Sequence, residues 1–544
     1  MTAYGLRVAT ANQVRTTLLE RREVALLDVR EEVFHAQGHP LFAANLPLSR
    51  LELDAFRRLP RKNVPIVLFD NGEGYSADAE GRLANLGYSD VSLLEDGLQG
   101  WRDAGFELFR DVNSPSKAFG ELVETRRHTP SLSAREVKEL IDAKADIVVV
   151  DTRRFEEFQT MSIPTAVSAP GGELVYRLHG LAEKPSTRVI VNCGGRTRSI
   201  IGTQSLINAG LHNSVAALRN GTIGWQLAGQ SLDRGATREA PFPDAASRSQ
   251  AASAARRVAD AAGVLRTSPG EVEEWLGLAT RTVYRFDVRT PAEYGVGHPP
   301  NFRSAPGGQL VQETDMFAPV RGARVVLADN DGVRANMTAS WLAQMNWETY
   351  VIDGVPAQEF ESLQDEADEL PAPPEIPSGA KISAVTLHNW MQSDSIAGRH
   401  VTVLDFSSSR NYLRGHIPNS LFSLRSRIEE AVEATAESKA YVVTSDEEAS
   451  ALFAWKELET AAAKPVYLLV GGINAWQESG YAMETAPAAF ASQAVDHYRR
   501  PYEGTDASPA SMQAYLDWES GLVEQLQRDG THGFRVLEPD QLSI

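Results

Sequence analysis

The chain has 544 residues. That is too long for one hydrophobic core, since cores stop growing at about 250–300 residues, and the length predicts about three to four domains. Hydrophobic residues at 42% and charged residues at 23% exclude wholesale disorder, and a net charge of -19 disfavours a general nucleic-acid or anionic-membrane binder.

The single cysteine, Cys193, excludes an intramolecular disulfide and any zinc site built from several thiolates of one chain. No apolar run approaches the ~18–20 residues that span a bilayer, and the start lacks the apolar stretch of a secretory signal. A cytoplasmic protein without membrane attachment is the expectation.

Taken in chain order, one pattern recurs four times. An apolar strand-like run closes on an Asp: Asp28, Asp151, Asp287 and Asp405. The first three continue as Asp-x-Arg, with Arg30, Arg153 and Arg289. Gly-His follows in three copies (Gly38-His39, Gly297-His298, Gly415-His416), whereas the second reads Met161-Ser162. A second strand then ends in a loop whose first residue is Asp70, Cys193, Asp329 or Ser445. Short runs rich in Val and Ile, such as Arg188–Asn192, read as strands buried on both faces of a parallel sheet. A helix-length segment, another strand and a Gly-x3-Trp turn complete the copy: Gly97 with Trp101, Gly221 with Trp225, Gly472 with Trp476. The third copy has Gly354 and Gln358 there.

This predicts an α/β fold: four tandem domains, each a parallel sheet with helices on both faces. The expected segments are 1–112, 122–235, 262–367 and 379–486, followed by a tail, 487–544, with one helix opened by Ser508-Pro509. That helix would carry Met512, Tyr515, Leu516, Leu522 and Leu526. The stretch 371–377 reads as a stiff extended spacer, and the Ala-rich 251–262 as a short surface helix.

The loop Cys193-Gly194-Gly195-Arg196-Thr197-Arg198-Ser199 lies between a strand and a helix, where ligands bind in open α/β sheets. The helix start leaves N–H groups unsatisfied, and two glycines let successive N–H groups converge on one anion. Arg196 and Arg198 would add positive charge. All of this is expected to favour a thiolate.

Together these features resemble the rhodanese family of sulfurtransferases, over about residues 1–486. The carriers are Asp-x-Arg, Gly-His with its proline, the Cys-x4-Arg loop and the Gly-x3-Trp turn. The resemblance implies that Cys193 is the nucleophile and takes a sulfane sulfur from a donor such as thiosulfate. It would carry the sulfur as a persulfide and pass it to a thiophilic acceptor such as cyanide or a thiol. It also implies that the N–H groups from Gly194 to Ser199 hold the persulfide and that Arg196 and Arg198 attract the donor, with Arg153 within reach. No cofactor, metal or nucleic acid is called for, and homo-oligomerisation is left open. Asp70, Asp329 and Ser445 make the other three copies inactive. By analogy with two-domain members, copies 1 and 2 would pair, the first covering the second's site.

His39, His298 and His416 read as fold residues, and Trp101, Trp225 and Trp476 as core anchors. Ala169-Pro170-Gly171-Gly172 and Ala305-Pro306-Gly307-Gly308 read as tight turns beside the pocket. Arg334, five positions past Asp329, is expected to be dispensable for turnover. One competing reading is the rhodanese-fold phosphatases and arsenate reductases, whose loop is Cys-x5-Arg, one residue wider. The other is a non-catalytic scaffold or sulfur-sensing protein, which would not need the intact Cys193 loop.

Overall fold

The computed structural model describes residues 7–182, 184–362, 370–392 and 401–542. The expected boundary at 367 and both chain ends lie outside the described residues.

Four strand sets follow one another, one per repeat. The first holds β1 (Val8–Ala9), β2 (Val24–Asp28), β3 (Ala44–Asn45), β4 (Ile66–Phe69) and β5 (Val91–Leu94). The second holds β6 (Ser131–Leu132), β7 (Ile147–Asp151), β8 (Val167–Ser168), β9 (Arg188–Asn192) and β10 (Val215–Leu218). Unit 3 has β11 (Leu265–Thr267), β12 (Val283–Asp287), β13 (Arg303–Ser304), β14 (Val320–Arg321), β15 (Arg324–Ala328) and β16 (Glu348–Ile352). Unit 4 has β17 (Lys381–Ile382), β18 (Val401–Asp405), β19 (Leu421–Phe422), β20 (Ala440–Thr444) and β21 (Val466–Leu469). The second sheet runs β6-β10-β9-β7-β8 with every pair parallel, and the other three repeat that order. Unit 1's sheet takes one further strand, β14 of unit 3, antiparallel to β2 with Val320 opposite Ala25.

The central strands are buried on both faces, which is why their sequences are apolar without alternation. One apolar cluster runs from unit 1 through units 2 and 3 to Leu522, Leu526 and Phe534 of the tail, while unit 4 has its own core. No helix among the described residues is long and apolar enough to cross a membrane.

The recurring motifs are fold devices. In units 1 to 3 the Asp that ends the first central strand makes a buried two-pronged ion pair with the Arg two residues on. The same guanidinium donates to a carbonyl eight residues ahead: Gly38, Met161 or Gly297. His39, His298 and His416 are buried and bonded to backbone carbonyls. Each turn Trp is buried and donates to a carbonyl six residues later.

Sequence reading misjudged three features. Unit 2 pairs with unit 3, and unit 1 with unit 4, through the turn that starts twenty residues past each strand-ending Asp. Gly172 meets Gly308 so closely that a Cβ on Gly172 would lie 2.9 Å from the Gly308 nitrogen. Arg334 reaches Glu173 across this contact, and Trp341 donates to Ser205. On the other pair, Arg425 bonds Glu52 and the Ser49 carbonyl. The Ala-rich stretch belongs to an eighteen-residue helix, Ala245–Ala262, with Ala251, Ala255, Val258 and Ala259 buried against units 2 and 3. The tail forms two helices, Pro509–Ser520 and Leu522–Asp529, broken at Gly521; Ser508 caps the first as expected.

Candidate active site

Strand β9 delivers Asn192, whose amide bonds Asp151, and the chain turns at Cys193 into the helix Thr197–Asn208. The loop is held from outside. Thr222 donates through its N–H and its hydroxyl to the Cys193 carbonyl, and the Ile223 N–H bonds the Gly194 carbonyl. These bonds hold the Cys193 and Gly194 carbonyls on the Gly221 side of the loop. Gly221 makes the approach possible: it has φ of +52°, and a Cβ there would fall 2.4 Å from the Cys193 oxygen. Gly97 and Gly472 do the same at Asp70 and Ser445. The glycine of Gly-x3-Trp thus clamps the loop.

The equivalent loops of units 1 and 3 each seat a carboxylate. In unit 1 the Asp70 carboxylate accepts the N–H groups of Gly72 and Ser76, each at 2.8 Å. In unit 3 Asp329 accepts those of Gly332 (2.9 Å) and Ala335 (2.7 Å). In both, one bond comes from the residue six positions on. The matching donor in unit 2 is Ser199, which bonds the Cys193 sulfur through its backbone and accepts the thiol at its hydroxyl, 3.4 Å away. An Asp oxygen stands two bonds from Cβ. The outer sulfur of a persulfide would stand equally far.

Cys193 is only 1% exposed. Burial pushes its thiol up; Arg198 and Ser199 oppose this, and Glu519 adds to it. In the resting thiol form burial outweighs the loop's pull, so the expected preference for a thiolate is corrected. The arginines are also less available than their sequence suggests. Arg196 grips Glu121 with two bonds of 2.6 and 2.8 Å and reaches Asn220. Arg198 grips Glu157 at 2.8 and 2.9 Å, and Glu157 is held down at about 2, as Arg198 and its hydrogen bonds outweigh burial. Their charge is balanced, and the Ser199 N–H is the backbone donor at the Cys193 sulfur. Arg153 is buried in its staple with Asp151 and the Met161 carbonyl, as Arg30 and Arg289 are in units without cysteine. Thr197 and Ser199 open the loop helix, and Arg198 and Thr197 line the seam between units 2 and 3. Both Pro-Gly-Gly turns border a cavity of about 320 Å³ there, together with Arg198.

The roof was not foreseen. Helix Ser114–Arg127 packs on the loop helix so tightly that a Cβ on Gly120 would sit 2.8 Å from Thr197. The tail closes the rest. A Cβ on Gly194 would meet the Tyr502 ring at 3.0 Å, and one on Gly195 would meet Tyr515 at 3.2 Å and Glu519 at 3.4 Å. The two loop glycines therefore make room for the tail as well as for the turn. Tyr515 donates to one oxygen of Glu519 at 2.9 Å, and the other, Oε2, is buried without a partner. Burial first, then Glu121, pushes Glu519 up to about 8. Lys117, salt-bridged to Asp111, lies 5.3 Å from the Tyr515 ring centre. So the cover is a linker helix and the tail, in place of the unit 1 body that pairing of units 1 and 2 would have supplied.

Glu157 did leave a signal in the sequence. A Glu six residues past the strand-ending Asp occurs in units 2 and 3 (Glu157, Glu293), the two that carry Arg198 and Arg334. Glu293 accepts from Arg334 at 2.6 and 2.8 Å. Units 1 and 4 lack both partners, with Phe34 and Tyr75, and Asn411 and Ser450. Among the described residues, no group of three or more His, Cys, Asp or Glu is placed to hold a metal ion.

The rhodanese-like domain family matches residues 10–104, 133–228 and 383–479, over half of the chain. Unit 3 joins the set by its strand order. The crystal structure of a thiosulfate sulfurtransferase from Pseudomonas aeruginosa is similar over 98% of this chain and 100% of its own, with 55% identity and a TM-score of 0.94. An uncharacterized protein of Synechocystis sp. is 31% identical over 108 residues, which span 20% of this chain and 59% of that relative.

Proposed function

The chain belongs to the rhodanese family, and from that premise we infer that it is a sulfurtransferase of the rhodanese type, acting on thiosulfate. Cys193 is its nucleophile. The resting thiol first gives its proton to solvent, and the thiolate attacks the outer sulfur of thiosulfate; a new S–S bond forms as the bond to the sulfite group breaks. Sulfite leaves with the electron pair, and the persulfide keeps one negative charge. A thiophilic acceptor such as cyanide then attacks the terminal sulfur, leaving thiocyanate and the Cys193 thiolate. The loop N–H groups from Gly194 to Ser199 hold the anion, which is worth more in a covered site than in water. Arg196 and Arg198 keep the loop in shape through Glu121 and Glu157.

The observation that carries this reading is the seating of Asp70 and Asp329. Their carboxylate oxygens stand two bonds from Cβ, as a persulfide's outer sulfur would, and take the N–H six residues on. A loop that binds an anion at that atom suits Cys–S–S⁻. The Cys-x4-Arg ring suits one sulfur better than a tetrahedral oxyanion, which favours sulfur transfer over phosphatase chemistry. The test is intact mass before and after thiosulfate, then after cyanide. One sulfur per chain should appear and leave, with thiocyanate formed, and Cys193→Ser should abolish both. Thiocyanate formation surviving in Cys193→Ser would overturn the assignment.

A further inference from the structure

Far from the Cys193 loop in sequence, a cavity of about 370 Å³ opens where unit 1, unit 3 and the tail converge. That volume lies within the ~300–1,000 Å³ range of small-molecule sites. Five arginines line it: Arg21 from unit 1, next to Arg22; Arg281 and Arg321 from unit 3; and Arg535 from the tail. The one carboxylate on its wall, Glu348, is already shared by Arg281 and Arg324. Arg22 is paired with Glu20. Among the described residues, Arg21, Arg321 and Arg535 form no ion pair. Such a concentration of uncompensated cations stands out in a chain whose net charge is -19.

Arg321 is the centre of it. Its guanidinium is stacked 4.1 Å from the Phe42 ring and 4.2 Å from Trp347, which fixes its plane, and one nitrogen touches the Asn346 carbonyl at 3.4 Å. The strand that carries it, β14, is the one that crosses to unit 1's sheet. A planar fork held rigidly between aromatic faces is preorganised for two-pronged recognition of phosphate- or sulfate-type oxygens. Burial and the neighbouring Arg21 push Arg321 down to about 9, the mark of a cation that lacks a counter-charge.

We propose that this cavity is an anion-binding site, separate from the Cys193 loop, for an oxyanion group carrying two or more negative charges, of phosphate or sulfur-oxyanion type. The anion takes the Arg321 fork and draws in Arg21 and Arg535 from either side. It thereby ties unit 1, unit 3 and the tail together at one point.

Isothermal titration of the full chain tests this with inorganic phosphate, pyrophosphate and thiosulfate, against sodium chloride at matched ionic strength. The Cys193→Ser protein serves for the thiosulfate arm, so that binding is read apart from turnover. Saturable binding of at least one of the three, weakened about tenfold or more by Arg535→Ala and by Arg21→Ala, is expected. Both positions are exposed, so these variants should fold; Arg321→Ala should weaken binding further. Preference for phosphate and pyrophosphate would identify a phosphorylated ligand, and preference for thiosulfate a sulfur oxyanion. Heats no larger than those of chloride for all three, or binding unchanged in the Arg21→Ala, Arg535→Ala double variant, would overturn the proposal.

Discussion

Replacing Glu519 by Gln should flatten the pH dependence of the tail that roofs Cys193. Glu519 is 1% exposed and is pushed up from 4.5 to about 8, first by burial, then by Glu121, against the pull of Lys117, the Tyr515 hydroxyl and Arg196. In the unfolded or detached tail the same carboxyl ionises near 4.5. Between these two values the seated side chain keeps a proton that the free one releases. The stability linked to this group is therefore complete below about pH 4.5 and is lost as pH rises to about 8, up to about 5 kcal/mol over that window. Gln keeps the acceptor for Tyr515 and titrates nowhere. Other groups, such as His497, which Glu32 and Glu503 hold up at about 9, titrate alike in both proteins and cancel in the comparison. Hydrogen exchange of the helix Pro509–Ser520 reads the opening free energy directly. At pH 5 the two proteins should be similar; at pH 8.5 the Gln variant should be better protected by a few kcal/mol. Alkylation of Cys193 should follow, rising more steeply with pH in the parent. Parallel loss of protection in both proteins between pH 5 and 8.5 would refute the reasoning.

Arg334→Ala leaves Asp331, Glu293 and Glu173 without their shared partner at a site 0% exposed, so a loss of about 3–5 kcal/mol in urea unfolding is expected, with turnover of the folded fraction unchanged. Arg198→Ala should lower kcat/KM for thiosulfate by roughly 10- to 100-fold, and adding Glu157→Gln should restore stability without restoring rate. Cys193→Asp should be inactive yet fold with a Tm within about 5 °C of the parent, its carboxylate taking the Ser199 N–H as Asp70 takes that of Ser76. Inserting one Gly between Gly195 and Arg196 moves that donor out of register and should lower thiocyanate formation at least about tenfold, with folding checked by circular dichroism.

The sequence made the repeating unit plain because its signals are local. A Val-rich run closing on Asp151 reads as a buried strand, and Gly221 before Trp225 reads as a turn. Cys193 could be singled out for the same reason: its loop, glycines and arginines are contiguous. What stayed hidden depends on residues distant in the chain. Glu121 neutralises Arg196 from 75 positions away, and Tyr502 and Glu519 lie some 300 positions from the loop they cover, with no pattern linking them to it. Pairing of units 2 and 3 rests on Gly172 against Gly308, and nothing in either turn names its partner. The Glu157–Arg198 pair does show in the sequence, because units 2 and 3 share its spacing and units 1 and 4 lack both partners. The preference expected for a thiolate failed for a different reason. Favourable charges stand in the sequence beside Cys193, whereas the burial that raises its thiol arises only in the fold.

The order in which the chain leaves the ribosome gives the tail a further meaning. Cys193 and its loop can fold as soon as unit 2 has emerged, but Tyr502, Tyr515 and Glu519 are synthesised more than 300 residues later. At about 5–20 residues per second, the loop spends roughly 15–65 s without the tail's share of its roof. During that interval Cys193 has only the helix Ser114–Arg127 over its loop, and the side on which Gly194 and Gly195 meet the tail is open to oxidants and electrophiles. A chain that stalls or is cut before Pro509–Ser520 carries Cys193 without Tyr515 and Glu519 over its loop, so closure of the site waits on that helix.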